Sequence, residues 1–261
     1  MAETQKTQTA NARVVRTWRW VAAALAVSQL VAPAVVNSLA GNFLESGATN
    51  EALITPAGYA FGLWGVITVL CAVTAVAVVR YGLGAWWETS LLVDASVVFV
   101  GFSVWLLVAA QDWLWVSVVV FMVMVSALIH IVRLLVLRRH DLTCPSWLAV
   151  LATVTFGLYL GWSSVAVFAN VAAALITSGV SASTAWWQFV VLVLAGIFVL
   201  VLTRLFRATP GFVAAVLWAL VAIAIGAAQR DSPVLSATAA VAAVLVVVVA
   251  VSAFFGRRRA G

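Results

Sequence analysis

Residues 91–137 read LLVDASVVFVGFSVWLLVAAQDWLWVSVVVFMVMVSALIHIVRLLVL, with charge only at Asp94, Asp112 and Arg133 and one titratable imidazole at His130. One crossing of the hydrocarbon layer takes about 20 residues at a rise of about 1.5 Å each. This run is more than twice that length, and its only polar break is Gln111-Asp112. The stretch therefore reads as two spans joined by a tight helical hairpin at that pair. The reading sets the span count for the chain, because one span more or fewer would move every later connection to the other side.

Outward from this hairpin the apolar runs are 18–40, 57–79, 91–110, 113–137, 147–175, 185–205, 211–228 and 234–255. Hydrophobic residues make up 66% of the 261 positions and charged residues 8%. Soluble domains carry nearer a quarter. So few charges cannot cover a water-facing surface, and lipid is the expected solvent. In lipid every backbone N–H and C=O must pair internally, which leaves helices or closed barrels. Runs of this length favour helices over the short alternating segments of a barrel. The expected fold class is all-α: an eight-helix transmembrane bundle.

The charge pattern supports the count. With the N-terminus inside, every Lys and Arg except Arg230 falls on an inner segment, as the positive-inside rule requires. The outer connections hold Glu45, Glu51, Asp112 and Asp231. Both termini are then cytoplasmic. The net charge of +6 reads as a topology signal, which excludes nucleic acid as a partner and leaves the bilayer as the first one. Residues 1–13 are polar and expected to be disordered. No cleavable leader is read, since the first apolar run is long enough to span and lacks an A-x-A exit. The longest outer loop is 41–56. Cys71 and Cys144 fit neither a disulfide framework nor a metal cluster.

Enzyme signatures are missing. There is no H-E-x-x-H, G-x-S-x-G, P-loop or paired intramembrane carboxylate, so no catalytic residue and no metal site is assigned. His130 and His140 are too far apart in sequence and setting to form a two-histidine site. Arg257-Arg258-Arg259 reads as a headgroup anchor.

Thirteen tryptophans stand out. Trp18, Trp20, Trp86, Trp87, Trp113, Trp115, Trp147, Trp186 and Trp187 lie near span ends and fit an interfacial belt. Trp64, Trp105, Trp162 and Trp218 lie deeper, where an indole N–H needs a partner or a ligand. Tyr159, Trp162, Ala166 and Asn170 follow i, i+3, i+7, i+11 spacing and share one helix face. A small residue flanked by aromatics on such a face does one of two things. It admits a neighbouring helix, or it opens a flat slot. The residues alone leave both open.

Two segments carry a family resemblance. Residues 55–68 read TPAGYAFGLWGVIT, and residues 158–170 read LYLGWSSVAVFAN. They resemble the second and fifth helices of the TspO/MBR family, the tryptophan-rich sensory proteins related to the mitochondrial translocator protein. Pro56 and Trp64-Gly65 match the second-helix pattern, with Thr68 where a tyrosine is expected. Tyr159, Trp162, Ala166 and Asn170 match the fifth, with Leu158 in place of proline. On the third helix Trp105 and the turn at Gln111-Asp112 fit, while the asparagine is absent. The resemblance covers about 18–178. It implies a polar N-terminus at 1–17, a five-helix core at 18–178, a three-helix extension at 179–256 and a basic tail at 257–261. It also implies a slot for a flat hydrophobic ligand such as a tetrapyrrole, porphyrin or haem, lined by Pro56, Phe61, Trp64, Thr68, Trp105, Tyr159, Trp162, Ala166 and Asn170. No obligatory cofactor follows. Loop 41–56 would be the outer lid.

Asp94 lies about one turn inside the inner end of span three, where a lone carboxylate is costly. Counted from the hairpin, it is level with His130, and Arg133 is one turn nearer the cytoplasm. One reading is an Asp94–His130/Arg133 cluster. The other is that Asp94 snorkels to the surface and His130 bonds a carbonyl.

The functional expectation is ligand binding for sensing, sequestration or transport, without catalysis beyond the light-dependent porphyrin breakdown described for some relatives. The alternatives are a proton-coupled secondary transporter and a structural membrane module that binds partner proteins through its small-residue faces; a homodimer is among the expected partners. Arg-over-Lys usage and Ala/Val richness point to a bacterial plasma (inner) membrane.

Overall fold

The computed structural model describes residues 2–40 and 52–259, with side chains described for 12–38, 52–253 and 255. Eight α-helices follow in order: α1 (Ala2–Ala40), α2 (Leu63–Tyr81), α3 (Glu88–Ala110), α4 (Leu114–Leu137), α5 (Ser146–Thr177), α6 (Ala185–Leu205), α7 (Pro210–Gln229) and α8 (Pro233–Arg259). A 3-10 turn at Gly58–Gly62 leads into α2. There is no strand among the described residues. Each helix is long and apolar enough to cross a bilayer. Hydrophobic side chains cover all sides of these helices; the outward rows, such as Val66, Val69, Val73 and Val76 on α2, are exposed for lipid to cover.

Two expectations change. Residues 1–13 were expected to be disordered, but α1 runs back to Ala2. That segment holds no Gly or Pro, and its three Ala and two Gln are good helix formers that offset three weaker Thr and extend an existing span at little cost. The third helix begins at Glu88 rather than residue 91, because the Glu88 side chain is buried and paired instead of lying in solvent.

The first five helices close a ring in the order α1, α2, α5, α4, α3 and back to α1. Helix α5 is also a shared wall, with α7 packed along its other side; α8 joins α7 to α6. Glycines set the α5–α7 distance. A Cβ on Gly161 would lie 2.5 Å from the carbonyl oxygen of Phe212, and one on Gly157 would lie 3.0 Å from its nitrogen. Small residues let helix backbones meet this closely where no hydrophobic effect drives association. Between neighbours in the ring, the hydroxyls of Thr74 and Thr155 bond at 2.9 Å, tying α2 to α5.

The hairpin between α3 and α4 turns at Gln111-Asp112, as the sequence predicts. Asp112 adopts φ 56°, a left-handed conformation that Asp and Asn tolerate better than most residues. The bond from Trp113 N–H to the Val108 carbonyl, 3.0 Å, closes the turn.

Candidate ligand cavity

Within the five-helix ring, near the α3–α4 hairpin, lies a cavity of about 430 Å³. That falls inside the range of small-molecule sites, about 300–1,000 Å³. Its aromatic wall is built from Trp64 on α2, Trp105 on α3, Phe121 on α4, Trp162 on α5 and Phe61 on the 3-10 turn. Trp64 is the hub. Its ring centroid lies 5.4 Å from Trp105, 4.9 Å from Phe102 and 6.1 Å from Trp162, the last edge-on at 88°. Phe61 meets Trp162 edge-on at 5.9 Å. The three indoles are 8%, 7% and 2% exposed, so they face the bundle interior and not lipid. The opposite wall is small: Ala166, Ala169 and Ala173 step along α5.

Of the nine residues expected at the slot, Pro56, Phe61, Trp64, Trp105, Trp162, Ala166 and Asn170 line this cavity. Thr68 and Tyr159 do not. Thr68 is a turn further along α2, and its hydroxyl donates to the Gly65 carbonyl at 3.1 Å. Tyr159 is fully buried behind Trp64, edge-on at 5.6 Å, and its hydroxyl accepts from Gln29 Nε2 at 3.0 Å. Both were placed by their position in a motif, and the large Trp64 ring screens the tyrosine.

Asn170 positions the wall. Its Oδ1 accepts from Trp105 Nε1 at 3.3 Å and from Ser117 Oγ at 2.6 Å, while its Nδ2 donates to the Ala166 carbonyl at 2.9 Å. These bonds fix the Trp105 ring. Trp162 Nε1, in contrast, is buried with no hydrogen-bond partner. A buried donor left unpaired costs about 1–3 kcal/mol.

The expected lid falls partly outside the described residues: nothing is described for 41–51, which include Glu45 and Glu51. Residues 52–57 are described and form a strap, with Ala52, Thr55 and Pro56 on the cavity wall. The strap is held by the last helices. Ile54 N–H donates to Gln188 Oε1 on α6 at 3.3 Å. Arg230, just past α7, donates to the Thr55 carbonyl at 3.0 Å. Ala57 N–H donates to the Ala222 carbonyl at 3.0 Å, and Trp218 Nε1 to the Ala60 carbonyl at 3.1 Å. A Cβ on Gly226 would lie 2.5 Å from the Thr55 oxygen, so only glycine admits the strap there.

Sequence reasoning missed Gln188, Arg230 and Gly226. The signals were a lone amide inside an apolar span and the single arginine on the acidic side. The tryptophan belt also needs correction. Trp87 and Trp187 are buried, and their indoles donate to Asp141 Oδ2 at 3.1 Å and the Ser181 carbonyl at 3.0 Å. Trp218, read as lying deeper in its span, is exposed on the helix surface, and its N–H has the partner expected of it in the Ala60 carbonyl.

At the other end of the bundle, His130 Nδ1 lies 2.5 Å from Asp94 Oδ2. Arg133 is exposed and makes no bond to either among the described residues, so the predicted triad is a pair. Arg133 is one turn past His130, on a face turned outward. A stronger ion pair lies nearby. Arg19 on α1 binds the buried Glu88 through Nε at 2.6 Å and Nη2 at 3.0 Å, and Glu88 Oε2 also accepts the Gly84 N–H at 2.9 Å. Arg19 had been read only as a topology charge.

No curated protein and no solved structure matches the chain. The model of one family, described as TSPO-like protein, matches residues 15–252, which takes in all eight helices. The chain is therefore a multi-pass membrane protein that belongs to the TSPO-like protein family.

Proposed function

We propose that this protein binds a flat hydrophobic molecule of tetrapyrrole type in the cavity lined by α2–α5 and the 52–57 strap, for sensing, sequestration or transport and not for catalysis. The observation that carries the reading is the set of three buried indoles, Trp64, Trp105 and Trp162, around a cavity of about 430 Å³ bordered by the 52–57 strap. Flat π-surfaces suit stacking and edge-on ring contact, worth about 0.5–1.5 kcal/mol per pair beyond area burial. On this reading 18–178 is the binding core, and 179–256 is a support that holds the strap. All Lys and Arg except Arg230 sit on segments at the end away from the cavity. The positive-inside rule supports cytoplasmic termini and a cavity toward the outer face, and the Arg-over-Lys usage supports a bacterial plasma membrane.

The test is a titration of detergent-solubilised protein with a neutral porphyrin diester, followed by tryptophan quenching. Saturable binding, weakened about tenfold or more by Ala166→Phe and by Trp162→Ala, supports the proposal. Unsaturable partitioning that is equal in all variants rejects it.

The Asp94–His130 pair favours a second reading, proton-coupled transport. Proton-dependent uptake into liposomes that is lost in Asp94→Asn would establish it. Uptake indifferent to that change would remove it.

A further inference from the structure

We propose that the seam between the five-helix ring and the last helices holds an anionic phospholipid, with its phosphodiester between Arg139 and Arg207 and an acyl chain against α4 and α5. A second cleft, of about 290 Å³, lies at the end of the bundle away from the ligand cavity. Its floor is apolar: Leu135 and Val136 from the last turn of α4, Val150 and Val154 from the start of α5, and Phe206 at the end of α6. The charged groups of its wall are the guanidiniums of Arg139, on the α4–α5 connection, and Arg207, on the α6–α7 turn. Each carries five N–H donors in a planar fork that fits phosphate.

No carboxylate lines this cleft among the described residues. The described acidic side chains at this end are engaged elsewhere: Glu88 by Arg19, Asp94 by His130, and Asp141 by the Trp86 and Trp87 indoles and by His140. The charge of the cleft therefore calls for an anion, and its floor calls for hydrocarbon. The height suits a lipid. Trp147 is exposed at the start of α5 and marks the headgroup level, and Val150 and Val154 follow one and two turns deeper. Basic pockets between spans on the cytoplasmic side bind anionic headgroups, and the positive-inside rule reads this end as cytoplasmic.

The backbone adds an independent mark. Arg207 and Ala208 adopt φ 53° and 51°, a left-handed pair just past the end of α6. Glycine is the usual residue there, because a side chain is penalised in that conformation. The turn is held by the Ala208 N–H, which donates to the Thr203 carbonyl at 2.7 Å. A guanidinium thus stands where glycine would be easier, and strain of this kind marks positions kept for a task.

The test uses the full chain in uncharged detergent at low salt. Dioleoyl phosphatidylglycerol, dioleoyl phosphatidylcholine and free glycerol phosphate are titrated in turn, with melting temperature giving the apparent affinity and native mass spectrometry the number of lipids retained. Phosphatidylglycerol is expected to raise the melting temperature by several degrees and to be retained, and the other two are not. Arg139→Gln and Arg207→Gln should each weaken it roughly fivefold. Arg16→Gln and Arg80→Gln, exposed arginines at the same end but outside this cleft, should leave it unchanged. Arg207→Gly guards against misfolding: it should match the native protein or exceed it in stability without lipid, yet lose the response to phosphatidylglycerol. An equal response to phosphatidylcholine would overturn the proposal, as would a response to glycerol phosphate alone. So would an equal loss in all four glutamine variants, which would mean general attraction to a basic surface, or an Arg207→Gly protein that keeps the full response.

Discussion

The side chain of Gln188, on the sixth helix, accepts the backbone N–H of Ile54 at 3.3 Å, although 134 positions separate them in the chain. The glutamine is fully buried, and its Nε2 is held by the Ala182 carbonyl at 2.7 Å. Through this amide a helix outside the five-helix ring sets the height of the strap over the cavity.

Gln188→Leu should therefore loosen the cover. A buried N–H left without an acceptor costs about 1–3 kcal/mol. Ligand dissociation, followed by stopped-flow recovery of tryptophan emission, is expected to quicken several-fold, with a modest fall in melting temperature in detergent. An unchanged dissociation rate would show that the amide does not govern the strap.

Gly161→Ala tests the α5–α7 seam. The added methyl would sit 2.5 Å from the Phe212 oxygen and 2.9 Å from the Ala215 Cβ, both on a rigid helix. Overpacking of this kind costs about 1–3 kcal/mol. Thermal unfolding in detergent should show that loss. Gly65→Ala, where nothing lies within 4 Å of the added carbon, should show none.

Arg19→Met leaves the Glu88 carboxylate buried with only the Gly84 N–H. Breaking a buried pair from one side costs about 3–5 kcal/mol, whereas replacing both partners with apolar groups of similar size is often close to neutral. Arg19→Met should thus lower folded yield sharply, and the Arg19→Met/Glu88→Met double variant should recover it. If the double variant is as poor as the single, the carboxylate has a role besides balancing Arg19.

The two thiols should differ in reactivity. Cys71 is buried within α2, so an aqueous alkylating agent should not reach it. Cys144 is partly exposed in the α4–α5 connection, but burial, and then the nearby Glu88 carboxylate, push its thiol above the usual value. A raised value leaves less thiolate near neutrality. Alkylation by a maleimide, read by mass spectrometry, should be slower at Cys144 than at an unperturbed cysteine at the same pH, and Glu88→Gln should speed it. Labelling at the unperturbed rate would contradict this.

The hairpin at Gln111-Asp112 and the eight spans were legible because hydrophobic length is a one-dimensional signal that lipid enforces directly. Trp64, Trp105 and Trp162 were legible as an inward set because their depth conflicts with an interfacial role. Tyr159 and Thr68 were misplaced because a motif reports a helix face, while the width of the Trp64 ring decides what that face can touch. The clasps on the strap were not legible. They join an amide on α6, an indole on α7 and a guanidinium just past α7 to a loop far away in sequence, and only packing shows which helix lies behind which loop.

The four clasps share one trait: Gln188, Arg230, Ala222 and Trp218 all grip main-chain atoms of residues 54–60. Side-chain identity along that stretch is therefore released from the duty of anchoring. A substitution at Thr55 can reshape what the chamber admits while the cover keeps its seat. Selectivity and attachment are thus separable properties, free to drift independently among descendants of this chain.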